Sequence, residues 1–163
     1  MIKEILKTAE THIKRLSAAK KDLEKINIST LNFENIETVK STDFFIFRFI
    51  KLQDYLGNKV FKTFLSEIGE YDDSMSFLDT VDKLEKMGII EDPKEWLTIR
   101  KLRNKLTHEY PEELEKIEEE LKLAMEKTDV LIKTFQKIKA YLEERGLISW
   151  LIQYLFSPLE KFF

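Results

Sequence analysis

Apolar residues recur at steps of three and four along the first part of the chain, which is the period of an amphipathic helix. This pattern predicts one long helix over residues 2–26. The positions that carry it are Ile2, Ile5, Leu6, Ala9, Ile13, Leu16, Ala19, Leu23 and Ile26. Residues 27–41 lose the period and mix Asn, Ser and Thr with isolated apolar residues, so they indicate a connector.

Residues 42–68 are apolar around almost the whole circumference of the helix that their spacing predicts. Such a helix is either central in its own bundle or buried against a second subunit. The Phe-rich beginning also fits a short strand, but the spacing after Ile50 favours a helix. Gly57 lies inside it, where Gly costs about 1 kcal/mol relative to Ala unless close packing compensates.

Capping signals divide the middle of the chain into two further helices. Ser76 to Asp79 resembles a helix start, and Gly88 ends the pattern that follows. A second start is marked by Asp92 as the N-cap, Pro93 at the first helical position and Glu95 three residues after the cap. The inward positions of this second helix are predicted to be Trp96, Leu97, Ile99, Leu102 and Leu106.

Pro111 disfavours helical backbone at Tyr110, so the helix that precedes it is expected to stop or kink between His108 and Tyr110. A new helix is predicted from Pro111 to about Arg145, with Glu112 and Glu113 in its first turn. Gly146 is expected to terminate this helix. A last short helix is predicted over residues 147–162.

These elements predict an all-α, up-and-down helical bundle of about five main helices plus a C-terminal helix. Residues 1–146 are expected to form the bundle, and residues 147–163 an aromatic extension packed on the same domain. Interfacial membrane contact is the alternative for the extension, but its flanking positive charge is sparse. Its apolar stretch is well short of the roughly 20 residues that span a bilayer, so no membrane span is expected.

Composition limits the function classes. The chain has 163 residues and no cysteine, which excludes a disulfide framework, a Cys-based zinc site and a thiol nucleophile. The absence of cysteine fits a reducing cytoplasm, the location that we expect, and the N-terminus does not resemble a signal peptide. The net charge of −3 means that any contact with nucleic acid must be local. No Gly-rich phosphate loop, zincin motif or nucleophile elbow is present, and we expect neither a cofactor nor a metal.

One basic cluster stands out in this acidic chain. Residues 100–105 contain four basic side chains and no acid, and His108 and Tyr110 follow directly. An arginine offers a planar fork of donors that matches a phosphate, and a histidine can move protons near neutral pH. Arg103, His108 and a polar amide around one phosphate would suffice for RNA cleavage without a metal. The alternative is a solvated helix face that ends in a histidine.

The spacing of Arg103 and His108 constrains such a site. Five residues on a helix correspond to about 140° of rotation and roughly 7.5 Å of rise, so the two side chains do not share a narrow face. Two arrangements remain open. Unwinding at the helix end could bring them together, or two copies of the helix could meet across a two-fold axis and share one cleft.

The segment also resembles a known motif. Arg103, four residues, His108, one residue and Tyr110 match the R-x4-H-x-Y motif of HEPN domains, in the extended form Arg-Asn-Lys-Leu-Thr-His-Glu-Tyr-Pro. Residues 47–54, Phe-Arg-Phe-Ile-Lys-Leu-Gln-Asp, resemble the second helix of HEPN proteins encoded beside minimal nucleotidyltransferases. The resemblance extends over roughly residues 2–143.

The resemblance implies a helical homodimer in which two motifs face each other in a cleft. It also implies a toxin that cuts RNA without a metal, with Arg103 and His108 as catalytic residues and with Asn104 and Tyr110 in support. A cognate minimal nucleotidyltransferase would act as the antitoxin by attaching AMP to Tyr110. Some relatives only bind the transferase, so the alternative is a non-catalytic HEPN module that binds a partner nucleotidyltransferase or its substrate.

Three polar residues interrupt the apolar helix over residues 42–68. Arg48, Gln53 and Asp54 either line the cleft and position Arg103 or the substrate, or form an internal network that holds helices together. Both interpretations remain open. His12 has no partner pattern in the sequence and is predicted to be a surface or boundary histidine.

Overall fold

The computed structural model describes residues 1–148, except for the side chain of residue 115. Within this range all regular structure is helical, which confirms the predicted all-α helical bundle. The α-helices are α1 (Ile2–Glu24), α2 (Ile36–Tyr55), α3 (Phe61–Glu67), α4 (Phe77–Lys86), α5 (Pro93–Glu109) and α6 (Ile117–Glu144).

α1 matches the first predicted helix closely. Its inward stripe includes Leu6, Leu16 and Leu23, all of which are fully buried. The helix ends shortly before Asn27, whose side chain accepts a hydrogen bond from the Ser29 amide and begins a short 3₁₀ turn. The spacing of apolar residues was therefore sufficient to define α1.

α2 begins earlier than the sequence pattern predicts. The predicted connector over residues 27–41 is correct only up to Asn35, whose side chain accepts a hydrogen bond of 2.9 Å from the Glu37 amide. An asparagine cap followed by an acid in the first turn is a normal start signal. Thr38 and Thr42 are buried in the first turns of α2, so the apolar pattern did not reveal this part of the helix.

α2 and α3 form one continuous rod, joined by a π-helical turn at Leu56–Val60. Phe45, Phe49, Phe61 and Phe64 of this rod are fully buried. Phe61 packs edge-on against Trp96 of α5, with ring centroids 4.8 Å apart. Of the two alternatives for this helix, the structure shows the first: it is central in its own bundle, and these four aromatic side chains form the middle of the core.

The two capping predictions are also confirmed. Ser76 and Asp79 form a reciprocal capping box at the start of α4. Asp92 caps α5 by accepting a hydrogen bond of 2.9 Å from the Lys94 amide, with Pro93 at the first position. Four of the predicted inward residues of α5 are buried, and the fifth, Leu97, is half-buried.

The predicted helix start at Pro111 is wrong. Residues 110–113 form a turn, Leu114–Lys116 is a 3₁₀ turn, and α6 begins at Ile117. Leu114 is the only apolar side chain between Pro111 and Ile117, and it is exposed. A helix there would bury nothing, whereas from Ile117 onward one face of α6 packs into the core.

Gly146 terminates α6 as predicted, with a positive φ of 67° and a hydrogen bond of 2.9 Å from the Leu147 amide to the Leu142 carbonyl. The predicted C-terminal helix lies outside the described residues from residue 149 onward. Among the helices of residues 1–148, none combines the length and the apolar character needed to cross a bilayer.

The π-helical turn provides a test of backbone energetics. A Cβ on Gly57 would lie 3.5 Å from Cε2 of Phe77, which is ordinary contact, and the backbone there does not require glycine. We therefore expect Gly57→Ala to raise the free energy of unfolding by up to about 1 kcal/mol, measured by urea denaturation. Gly88→Ala is the matched control. Gly88 has open space around it but a φ of 74°, so this change should cost about 1–2 kcal/mol. A lower stability in Gly57→Ala would show that Phe77 cannot accept the methyl group.

Candidate functional site

Arg103 is held by a carboxylate from the central rod. Its Nε donates a hydrogen bond of 2.8 Å to Oδ1 of Asp54, and its Nη2 donates one of 2.7 Å to Oδ2. The side chains are only partly buried, with 26% of Arg103 and 34% of Asp54 exposed. This paired geometry is the strongest form of the arginine–carboxylate contact, and it attaches α5 to α2.

The remaining nitrogen of the Arg103 guanidinium, Nη1, faces two side chains of its own helix. Nη1 lies 3.3 Å from Oγ1 of Thr107 and 3.5 Å from Oδ1 of Asn104. The hydrogen bonds to Asp54 raise the pKa of Arg103 above its usual value, so the side chain keeps its charge. Arg103 is therefore a fixed cation, and its Nη1 edge makes only long hydrogen bonds that a phosphate oxygen could replace.

An open cavity of about 390 Å³ lies beside this pair. Its polar wall is formed by Gln53, Asp54, Lys62, Arg100, Arg103 and Asn104. We call it the Arg103 cavity. Three of its polar residues are cationic and only one is acidic, so a phosphate or another anion suits it. The π-helical turn contributes Gly57 and Asn58 to the same wall.

The sequence-predicted site residues do not all meet here. The Arg103 cavity brings together Arg103, Asn104, Gln53 and Asp54, but Arg48 lies in a different cavity, between α1 and α2. His108 is exposed and does not line the Arg103 cavity. Within residues 1–148 its ring makes no hydrogen bond or ion pair.

The path of α5 explains the separation of Arg103 and His108. The helix continues through Glu109, so local unwinding does not bring the two side chains together in one copy of the chain. They diverge by about 140° around the helix axis, and Asn104 lies between them, one turn before His108. Of the two arrangements that the sequence left open, the unbroken helix excludes local unwinding, and the meeting of two copies stays a prediction.

Tyr110 follows the last turn of α5 and packs back onto α2. Its backbone is extended, as expected before a proline, and its hydroxyl donates a hydrogen bond to Oδ1 of Asp43. Burial and the neighbouring Asp43 carboxylate raise the pKa of the Tyr110 phenol well above its usual value. The ring lies 6.5 Å from the ring of Phe33. The phenol is therefore neutral and held in place.

The basic cluster of α5 does not form one positive face. Arg100 lies over the ring of Phe77, 4.5 Å from its centroid, and lines the Arg103 cavity. Lys105 points to α6, where its Nζ lies 3.7 Å from the Glu120 carboxylate. Lys101 is exposed elsewhere on the helix. Consecutive residues of a helix lie about 100° apart, which is why four neighbouring cations spread around it.

Asp43 and Lys62 were not predicted from the sequence as site residues. A signal for Asp43 was available, because Asp43 and Asp54 are eleven residues apart and therefore share one stripe of α2. Arg103 and Tyr110 are seven residues apart, so the chain leaves α5 on nearly the same side of the helix as Arg103. Lys62 carried no such signal, because its place in the wall of the Arg103 cavity depends on how α3 packs. The chain matches no protein-family model, no curated protein and no solved structure.

The contact between Tyr110 and Asp43 can be tested by titration. Asp43→Asn removes the negative charge that disfavours the phenolate, so the pKa of Tyr110 should fall towards its ordinary value while staying above it because of burial. Ultraviolet absorbance of the phenolate between neutral and strongly alkaline pH measures the change, and Tyr110→Phe identifies the Tyr110 component among the five tyrosines. An unchanged titration curve in Asp43→Asn would argue against the contact.

Proposed function

We propose that this protein is a metal-independent endoribonuclease of the HEPN type and acts in the cytoplasm as the toxin of a toxin–antitoxin pair. The observation that carries the proposal is the fixed, charged Arg103 on the wall of an open, cation-rich cavity. His108, on the same helix, has no hydrogen-bond or ion-pair partner within residues 1–148. A positioned cation stabilises the charge that develops in phosphodiester cleavage by the ribose 2′-hydroxyl, and an imidazole can transfer the protons.

The proposed reaction is transesterification within the RNA strand. His108 removes the proton from a ribose 2′-hydroxyl, whose oxygen forms a bond to the adjacent phosphorus. The bond from phosphorus to the 5′-oxygen then breaks, and a protonated histidine returns a proton to that oxygen. The products are a 2′,3′-cyclic phosphate and a 5′-hydroxyl. Arg103 stabilises the extra negative charge on the phosphorane oxygens.

The geometry of α5 supports a site shared by two copies of the chain. Arg103 and His108 of one copy diverge, but a two-fold axis near the end of α5 would set His108 of each copy opposite the Arg103 cavity of the other. Such a homodimer would also supply one histidine as the base and the second as the acid. Asn104, which lies between Arg103 and His108 around the axis of α5, would orient the phosphate.

Cleavage of RNA by the purified protein in the presence of EDTA tests the proposal. His108→Ala should lower the rate by about 10²–10⁴, because it removes the acid–base group. Arg103→Lys should lower it by about 10²–10³, because a point charge cannot keep both the Asp54 contact and the phosphate. Thr98→Ala, an exposed change earlier on α5, is the control and should leave the rate unaltered. Full activity in His108→Ala would refute the assigned acid–base role.

A non-catalytic module that binds a partner nucleotidyltransferase or its substrate is the second candidate. The observation that favours it is that Asp54 already occupies two donor groups of Arg103, which is also what a purely structural pair would show. An absence of cleavage across RNAs of varied sequence, together with stable binding to the transferase, would establish this candidate instead. For such a module, Asp54→Asn would lower the free energy of unfolding, and there would be no RNA cleavage for it to change.

Tyr110 is the proposed site of neutralisation by the cognate transferase. Its phenol oxygen would attack the α-phosphorus of ATP, pyrophosphate would leave, and the phenol proton would pass to Asp43, which already accepts it in a hydrogen bond. Incubation with the transferase, ATP and Mg²⁺ should add the mass of one AMP to the wild-type chain and none to Tyr110→Phe. An AMP adduct on Tyr110→Phe would assign the modification to another residue.

A further inference from the structure

A second open cavity, of about 520 Å³, lies between α1 and α2. Its lining includes His12, Arg15, Phe47, Arg48, Lys51 and Lys59. We call it the α1–α2 cavity. Of these six residues only Arg48 was predicted from the sequence as a site candidate, and His12 was predicted to be a surface or boundary histidine.

The α1–α2 cavity is strongly cationic in a chain whose net charge is −3. Arg15, Arg48, Lys51 and Lys59 contribute four positive charges to its lining. Asp54 is the one carboxylate among the lining residues, and it is bound to Arg103. Within residues 1–148 none of the four cations forms an ion pair. This surface therefore attracts an anion that the protein itself does not supply.

Two polar atoms at the α1–α2 cavity are buried without a hydrogen-bond partner among the described residues. They are Nε of Arg48 and Nδ1 of His12. Burial and the charges of Arg48, Arg15 and Lys51 lower the pKa of His12, so its ring is neutral at neutral pH. The ring packs against Tyr55, with centroids 5.1 Å apart. Because buried polar groups normally have partners, these two atoms mark an incompletely satisfied polar wall of the cavity. The preference for an anion comes from the four cations that line it.

An exposed aromatic ring lies among these cations. Phe47 is 50% exposed, although its helix neighbours Phe45 and Phe49 are fully buried. The Arg48 guanidinium lies 5.0 Å from the centroid of the Phe47 ring, and Nζ of Lys51 lies 5.4 Å from it. A solvent-facing ring flanked by cations is the arrangement that holds a nucleobase and its phosphates in single-stranded nucleic-acid sites.

The α1–α2 cavity and the Arg103 cavity are neighbours. Asp54 and Asn58 line both of them, so the two cavities meet at the end of α2 and the π-helical turn. From Arg48 to Lys59 the rod advances by roughly 16 Å. A strand lying along this part of the rod would contact cations in both cavities.

We propose that the α1–α2 cavity binds the phosphate backbone and one base of single-stranded RNA, and so extends the substrate site beyond the Arg103 cavity. This inference rests on the proposed ribonuclease function. Charge argues against a second copy of the chain as the occupant, because a two-fold contact through this surface would set its cations against themselves. The exposed Phe47 supplies a stacking surface that bases in a duplex cannot reach.

Fluorescence anisotropy with a short, labelled, single-stranded oligoribonucleotide tests this inference, with His108→Ala as the background that prevents cleavage. Adding Arg15→Ala and Lys51→Ala should weaken binding at least tenfold. It should also reduce the slope of log affinity against log salt by about 0.7 for every phosphate that these two cations neutralise. Adding Phe47→Leu should weaken binding by about fivefold or more and leave the salt slope unchanged, because stacking carries no charge.

The matched control removes two cations from elsewhere on the surface. Lys86→Ala with Lys94→Ala makes the same change in net charge, but neither residue lines either cavity. This pair should leave RNA affinity close to that of the His108→Ala background. An equal fall in affinity for both pairs would mean that only net charge matters, and it would overturn the inference.

The outcomes separate this inference from the proposed function. RNA binding that depends on Arg15, Lys51 and Phe47, in a protein that cuts no RNA, would support the site and refute the ribonuclease. Cleavage by the wild-type chain, with full RNA affinity in the cavity variants, would support the ribonuclease and overturn the site. The cavity variants could also change their oligomeric state and keep their RNA affinity. That result would overturn the inference and show that the α1–α2 cavity is an interface between copies of the chain.

Discussion

Burial of the rod formed by α2, the π-helical turn and α3 is the constraint on which the structure depends. Phe45, Phe49, Phe61 and Phe64 of the rod occupy the centre of the core, with Trp96 of α5 packed against Phe61. Dense packing of this kind leaves little freedom to rotate or slide the rod. The few polar residues on the rod are therefore fixed in direction, and both candidate sites are built around them.

Asp54 links the two sites. Its carboxylate holds Arg103 at one cavity and lines the second cavity, where Arg48 and Lys51 lie. Because the pair is partly exposed, its contribution to stability is modest, and its main effect is to set the direction of the guanidinium. The π-helical turn directly after α2 places Asn58 in both walls. Irregular turns of this kind inside helices are often found at functional sites.

The helix period separates the members of the motif. Arg103 turns towards the rod and His108 turns towards solvent, because five residues of unbroken helix rotate the second side chain by about 140°. A single copy therefore presents a cation and an imidazole in different directions. The proposed ribonuclease needs a second copy of the chain, whereas the alternative binding module does not. Tyr110 is held by Asp43, which directly follows the buried Thr42 of α2 and lies roughly 16 Å along the rod from Asp54.

Local signals in the sequence were enough to predict the helical class, most helix ends and the central position of the rod, because apolar period, caps, proline and glycine act over a few residues. They misplaced the starts of α2 and α6. Buried threonines concealed the first turns of α2, and a helix from Pro111 would have had no face to bury.

The sequence also selected Arg103, Asn104, Gln53 and Asp54, which the fold brings to one cavity. It did not reveal that Arg103 pairs with Asp54 or that His108 lies outside the Arg103 cavity. Nor did it reveal that residues of α1 line a second cavity together with Arg48. Those outcomes were decided by tertiary packing, because contacts between helices depend on crossing angles and rotations that no local pattern encodes.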